Sequence, residues 1–190
     1  ANTTAMVNTR PVVALRGAHT SSFMRVSQQS YISSLWYDSF TRANGALGSS
    51  ESVGPDGQAT PFTAWVNREG TTGITGNAAQ ATALAAGIAN ATLATTYADA
   101  HIRATLTRAA GNIGINARYQ DSGNHLRAYH DGTNVVCQQV VAGVPTTLRT
   151  GAAAFSAGAY IYLIVRGTTG WLFYNNAAVG ASFAVPASPF

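Results

Sequence analysis

Short apolar runs cut by Gly, Asp and Asn fill the second half of the chain, in place of the long stripes with a 3.6-residue period that mark helices. The segments IGINARY (113–119), HLRAYH (125–130), NVVCQQVV (134–141), VPTTLR (144–149), YIYLIVR (160–166) and WLFY (171–174) read as β-strands. Their separators DSGN, DGTN, AG, a longer Gly/Ala loop and GTTG make them a meander of hairpins. Asp131-Gly132 and Ala142-Gly143 supply positions that tolerate positive φ, Asp121 and Asn124 can bond local backbone groups, and Asn175-Asn176 can do the same. The stretch 78–100, AAQATALAAGIANATLATTYADA, has the alanine content of a helix. Gly87, the threonines and the lack of a clean polar face make it strands and loops.

The hairpin from Ile113 to Val141 can be read in register. If the four-residue loop 121–124 joins two antiparallel strands, Tyr119 faces Leu126, Ala117 faces Ala128 and Ile115 faces His130, an apolar layer joined by Val135 and Cys137. The same register sets Arg118 opposite Arg127 on the other face, flanked by Gln120, His125, Tyr129 and Gln138. Like charges directly opposed are unfavourable unless an anion or a stacking partner intervenes. That face is the candidate contact for a carboxylate, an acidic sugar or an adjacent subunit, and the bland alternative is two arginines splayed into water.

Residues 1–36 differ from the rest, with few glycine turns and one apolar block around Pro11 to Leu15. They read as an arm, with Val12, Val13, Leu15, Phe23, Tyr31 and Trp36 as its contact residues, or else as a first strand or two with a loose terminus.

Composition sharpens this picture. The 190 residues are 46% hydrophobic and only 9% charged, which suits one domain and excludes a charged disordered tail. All eleven basic residues are arginines, scattered to a net charge of +4, so no basic run offers a track for nucleic acid. No apolar run approaches the roughly 20 residues of a membrane span, and the start, ANTTAMVNTR, shows no leader pattern. Cys137 is the single cysteine, so an intrachain disulfide or a multi-thiolate metal site is excluded, and a reducing compartment fits.

Candidate chemistry is sparse. Glycoside hydrolysis needs two carboxylates flanking one bond, whereas Glu51 and Glu69 stand far apart in sequence and the five Asp lie singly. His19, His101, His125 and His130 have no nucleophile elbow to serve. Cys137, mid-strand among valines, reads as an inert buried thiol. His125 and His130 point to opposite faces, against zinc. Asp121, Asn124 and Asp131 offer loop oxygens that fit turn chemistry, with a calcium shell as the alternative. Trp36, Trp65 and Trp171 could each stack on sugar rings; for Trp171, in a short apolar strand, core packing is the favoured reading, and Trp65 is open between the two.

DSFTRANGALG (38–48), GITGNAA (73–79), the block 112–148 and WLFYNNAAVG (171–180) together resemble the laminin-G or concanavalin-like jelly-roll domains of bacteriophage minor tail and other virion proteins. The resemblance implies an all-β fold, an antiparallel jelly-roll sandwich over 37–190 preceded by the arm 1–36. Such sandwiches often continue into one more strand where this sequence ends at ASFAVPASPF, so the expectation is either a last strand supplied by the arm or a neighbouring subunit, or a shortened variant. The function the resemblance implies is a non-enzymatic virion structural protein, a capsid decoration or tail component without cofactor or metal. Such a protein is assembled in the host cytoplasm with other virion proteins and further copies of itself. The second class is a carbohydrate-binding module or host-attachment adhesin that grips a host surface glycan.

Overall fold

The structure, a computed structural model, describes residues 36–54, 57, 59–85, 88–94, 98–107 and 111–186. Among the described residues every regular element is a strand and none is a helix, so the all-β reading holds. In chain order the strands are β1 (Gly45–Ala46), β2 (Trp65–Glu69), β3 (Thr71–Ile74), β4 (Ala79–Ala83), β5 (Asn90–Leu93), β6 (Ala100–Thr105) and β7 (Ile113–Asp121). They continue as β8 (Asn124–His130), β9 (Asn134–Val141), β10 (Val144–Ala152), β11 (Tyr160–Arg166), β12 (Thr169–Tyr174), β13 (Ala177–Ala178) and β14 (Phe183–Ala184). The Ala-rich stretch 78–100 contributes β4 and β5, as its threonines suggested. Two compact units result, one drawn from residues 1–65 and 73–80, the other from 66–72 and 81–190.

In the first unit, the segment DSFTR closes around one carboxylate. Asp38 Oδ1 accepts the Phe40 amide and Arg42 Nη1, each at 2.8 Å, while Oδ2 accepts Arg42 Nη2 at 2.8 Å and the Trp65 indole N–H at 2.7 Å. Arg42 also donates from Nε to the Leu47 carbonyl at 3.1 Å. Phe40 takes φ 57° to bring its ring within 5.7 Å of the Trp65 ring, a costly conformation for a bulky residue that the surrounding bonds hold in place. The motif is a structural staple with its acid 3% exposed.

The second unit contains two antiparallel sheets that share one core. One is the expected meander, in the order β10-β9-β8-β7. The other is ordered β13-β12-β11-β6, with β14 also on β12, so the chain crosses between sheets from β6 to β7 and again from β10 to β11. Alternation explains the core: Leu126, Ala128, Val135 and Cys137 from the first sheet meet Ile161, Leu163, Val165 and Leu172 from the second, all at most 1% exposed. Each fully buried aliphatic side chain contributes about 1.5–3 kcal/mol. Phe183 and Val185 close one end over Gly170, whose absent side chain makes the room: a Cβ there would lie 2.5 Å from the Phe183 ring. His130, fully buried in this layer, is satisfied at both nitrogens, with Nε2–H donating to the Ala153 carbonyl at 3.1 Å and Nδ1 accepting the Gly132 amide at 2.9 Å.

The turns follow their residues. Ala142 (φ 49°) with Gly143 (φ 81°), and Asn175 (φ 47°) with Asn176 (φ 72°), both take the doubly left-handed geometry of two-residue hairpins. Asn tolerates it because its short polar side chain bonds locally.

The β7–β8 register corrects the expected one. Asp121 pairs with Asn124 at the turn, but Ala117 lies opposite Leu126, Ile115 opposite Ala128 and Ile113 opposite His130, with an irregularity between Ala117 and Asp121. Two extra residues on β7 are absorbed there by a bulge at which Arg118 takes φ 49°. An even shift preserves which face each residue takes below the bulge, so Ala117, Leu126, Ala128, Val135 and Cys137 form the predicted core layer. Tyr119, within the bulge, leaves that layer and packs its ring 5.3 Å from His125.

Candidate functional site

The expected contact face comes together only in part. His125, Arg127 and Tyr129 alternate along the outward side of β8, and Gln138 of β9 lies opposite Arg127. Arg127 donates from Nε and Nη2 to Gln138 Oε1 at 3.0 and 2.8 Å, Gln138 Nε2 donates to Thr147 Oγ1 at 3.2 Å, and the guanidinium sits 5.6 Å from the Tyr129 ring centre. His125 is buried, donating from Nδ1 to the Asp121 carbonyl at 3.2 Å, and burial pulls its pKa below the ordinary 6.5. Gln120 is exposed at the end of β7.

Arg118 is the correction. Its neighbour across from Arg127 is Asn116, whose amide donates to Asn90 Oδ1 at 2.8 Å, so no pair of opposed arginines exists and the argument for an anion between them falls. The positive φ swings Arg118 off the face, leaving its side chain 5% exposed. There Nε donates to the Ala98 carbonyl at 2.8 Å, Nη1 to the Pro186 carbonyl at 3.2 Å and Nη2 to the Gly167 carbonyl at 2.6 Å, with Asp99 at 3.4 Å. Arg118 is a cross-link from β7 to the loop before β6, the β11–β12 turn and the segment after β14.

The described carboxylates are likewise engaged in local structure. Besides Asp38, Glu51 accepts the Ser39 amide at 3.1 Å and its hydroxyl, and Glu69 lies 3.5 Å from the Asn90 amide group. Asp99 accepts the Gly167 amide at 2.8 Å and Asp121 the Gly123 amide at 2.7 Å. Asp131 accepts the Thr133 and Asn134 amides at 2.9 and 2.7 Å, bonds that hold its pKa down to about 2. Asp121 and Asn124 bond each other at 3.0 Å, so the residues considered for calcium serve their own turns. No group of three or more His, Cys, Asp or Glu converges among the described residues. Cys137 is fully buried and burial pushes its thiol up to about 12, which makes it a poor nucleophile.

A second face escaped the sequence reading. On β11 the inward residues Ile161, Leu163 and Val165 leave Tyr160, Tyr162 and Ile164 pointing outward, and the paired positions on β12 are Phe173 and Trp171. Trp171 therefore sits on the outer side of its sheet, half-buried, and corrects its assignment to the core: Gly170, Leu172 and Tyr174 take the inward positions of β12. Across β11, Arg103 and His101 of β6 lie opposite Tyr162 and Ile164. The Arg103 guanidinium stacks on the Tyr160 ring at 3.7 Å, and Tyr162 and Phe173 lie 5.8 Å apart. His101 Nε2 accepts from Arg166 Nε at 3.1 Å, which leaves its proton on Nδ1 to donate to the Tyr162 hydroxyl at 2.9 Å. Burial and the Arg166 charge lower the His101 pKa. The signal was present in YIYLIVR, which is apolar at both parities, whereas a sheet with one wet face alternates.

The other tryptophans belong to the first unit, Trp65 on Asp38 and Trp36 donating to Thr63 Oγ1 at 3.0 Å. The remaining arm positions, Val12, Val13, Leu15, Phe23 and Tyr31, lie outside the described residues. Comparison with protein-family models, with curated proteins and with solved structures gives no match to this chain.

Proposed function

We propose that the chain is a non-enzymatic structural component of a bacteriophage particle, a capsid decoration or tail protein built on a concanavalin-like jelly roll. The observation that carries the non-enzymatic reading is the use of the acids: each described carboxylate is bonded to a local amide, hydroxyl or guanidinium, leaving no opposed pair for acid–base work. Two antiparallel sheets sharing one core, with the chain crossing between them twice, support the jelly-roll assignment. The phage assignment rests on the order and spacing of the four resembling segments. In this reading residues 1–36 anchor the protein among other virion proteins and copies of itself. The test is mass spectrometry of purified particles from the source phage or prophage. The chain present at a fixed ratio to the major capsid or tail protein supports the proposal; particles that lack it refute it.

A second reading, a glycan-binding module or adhesin, is favoured by one observation, the half-buried aromatic side of the β6–β11–β12 sheet. Aromatic rings and planar polar groups on a rigid sheet suit sugar rings, which present apolar C–H faces and polar edges.

A further inference from the structure

We propose that the outer face of β6, β11 and β12 binds an acidic polysaccharide, with sugar rings stacked on Tyr162 and Trp171 and a uronate-type carboxylate held by Arg103. This assignment rests on the glycan-binding reading and adds the charge class of the ligand and the residues that select it.

Three features of the face point to that ligand. First, Tyr160, Tyr162, Ile164, Trp171 and Phe173 place apolar surface on the side of the sheet away from the shared core, where an antiparallel sheet normally turns polar residues to water. Second, the charge is one-sided. Strands β6, β11 and β12 read AHIRAT, YIYLIVR and TGWLFY, with two arginines, one histidine and no acid. Arg103 is exposed and, among the described residues, the ion pairs are Arg42–Asp38 and Arg118–Asp99, so no described carboxylate neutralises it. Its guanidinium is held over the Tyr160 ring at 3.7 Å, and a guanidinium so placed can still offer its fork of N–H donors to a carboxylate. Third, the face is small. Three strands at ~4.8 Å spacing and ~20 Å long span about 300 Å², well short of the roughly 800 Å² each partner gives to a stable protein interface, but enough for two or three sugar rings. A second copy of the chain is disfavoured further, because pairing this face with itself opposes Arg103 to its own like charge.

The test uses the full chain with an oligogalacturonate and with its full methyl ester, which keeps the rings and removes the charge. Tryptophan fluorescence and calorimetry follow binding, and a broad glycan array runs alongside. The expected result is saturable binding of the oligogalacturonate, at least about tenfold tighter than of the ester and weakened by salt. Arg103→Gln, which removes the charge, and Trp171→Leu, which removes the ring but keeps an apolar side chain, should each weaken it on the order of tenfold. Arg68→Gln, which removes an exposed arginine on β2, should leave it unchanged. Equal affinity for acid and ester would overturn the charge class while leaving the glycan reading intact. No binding of any glycan on the array would remove both. Acid binding that is weakened equally by Arg68→Gln would show diffuse charge attraction and overturn the site. Concentration-dependent dimerisation weakened by Trp171→Leu and strengthened by Arg103→Gln would assign the face to a second copy and overturn the proposal.

Discussion

Replacing Arg118 by alanine is expected to cost about 3–5 kcal/mol of folding free energy. The side chain donates to three backbone carbonyls, of Ala98, Gly167 and Pro186, at 2.8, 2.6 and 3.2 Å, while 5% exposed. A hydrogen bond with one charged partner contributes ~1.5–3 kcal/mol, and ordering an arginine returns roughly 2 kcal/mol of that total. The Asp99 contact adds little, because that carboxylate is 61% exposed and 3.4 Å away, so Asp99→Asn should cost less than about 1 kcal/mol. Lysine should recover only part of the loss, since one ammonium cannot reach carbonyls that surround a planar fork.

The backbone provides an independent check. At φ 49° a Cβ is strained by roughly 1–2 kcal/mol, so Arg118→Gly should be less damaging than Arg118→Ala by about 1 kcal/mol. In an extended strand the order reverses, because glycine there is worse than alanine by ~0.5–1 kcal/mol. Urea unfolding followed by tryptophan fluorescence measures both, provided the slope is unchanged. Alanine within about 0.5 kcal/mol of wild type, or alanine more stable than glycine, would refute the bulge and restore Arg118 to the sheet face opposite Arg127.

Cys137→Ala should cost about 1–2 kcal/mol, and the native thiol should label orders of magnitude more slowly than the unfolded one, as its burial and its pKa near 12 require. Gly170→Ala should cost about 2–3 kcal/mol, because its Cβ would meet the Phe183 ring at 2.5 Å and Val185 at 2.9 Å; Phe183→Ala in the same chain should recover less than its own single cost, which a double-mutant cycle reads. Acid should weaken the fold in two windows. His101 and His125 have folded pKa values below the ordinary 6.5, so the unfolded chain binds the extra protons and stability falls as pH drops through and below 6.5. Asp131 falls from 3.8 to about 2, so its contribution, present above 3.8, is lost as pH falls toward 2. Flat stability between pH 7 and 5 would exclude the first window.

The strands of the second half were legible because their information is local. Short apolar runs bounded by turn residues mark NVVCQQVV and YIYLIVR to the residue, and the core position of Cys137 follows from parity alone. The bulge was not legible. Nothing in ARYQD announces two extra residues, and Arg118 adopts a left-handed φ that arginine does not favour by itself; carbonyls on three distant segments impose it. Trp171 failed for a different reason. Hydrophobicity selects a residue for burial, but pairing with Ile164 sets its side of the sheet, and β12 gives its inward positions to Gly170, Leu172 and Tyr174. The motif DSFTR was visible as a pattern without a visible cause, since the partner of Asp38 that completes it, Trp65, lies 27 residues away.

The arginine-only basic composition acquires a physical meaning once the guanidinium groups among the described residues are followed. Arg42 grips Asp38 and the Leu47 carbonyl, Arg118 three carbonyls, Arg149 the Ser182 carbonyl, Arg127 the Gln138 amide oxygen and Arg68 the Thr92 hydroxyl. In a chain with 9% charged residues these forks replace ion pairs: they tie loops to strands through neutral oxygens, which a compact, strongly hydrated ammonium does poorly. In these five the guanidinium is engaged by the fold itself, and Arg42 and Arg118 also meet a carboxylate. Among the described arginines, Arg103 differs in kind, because its contact is an aromatic face. The same sheet supplies the half-buried rings of β11 and β12 beside it, and that juxtaposition of one guanidinium with several rings is what the proposed acidic-sugar site rests on.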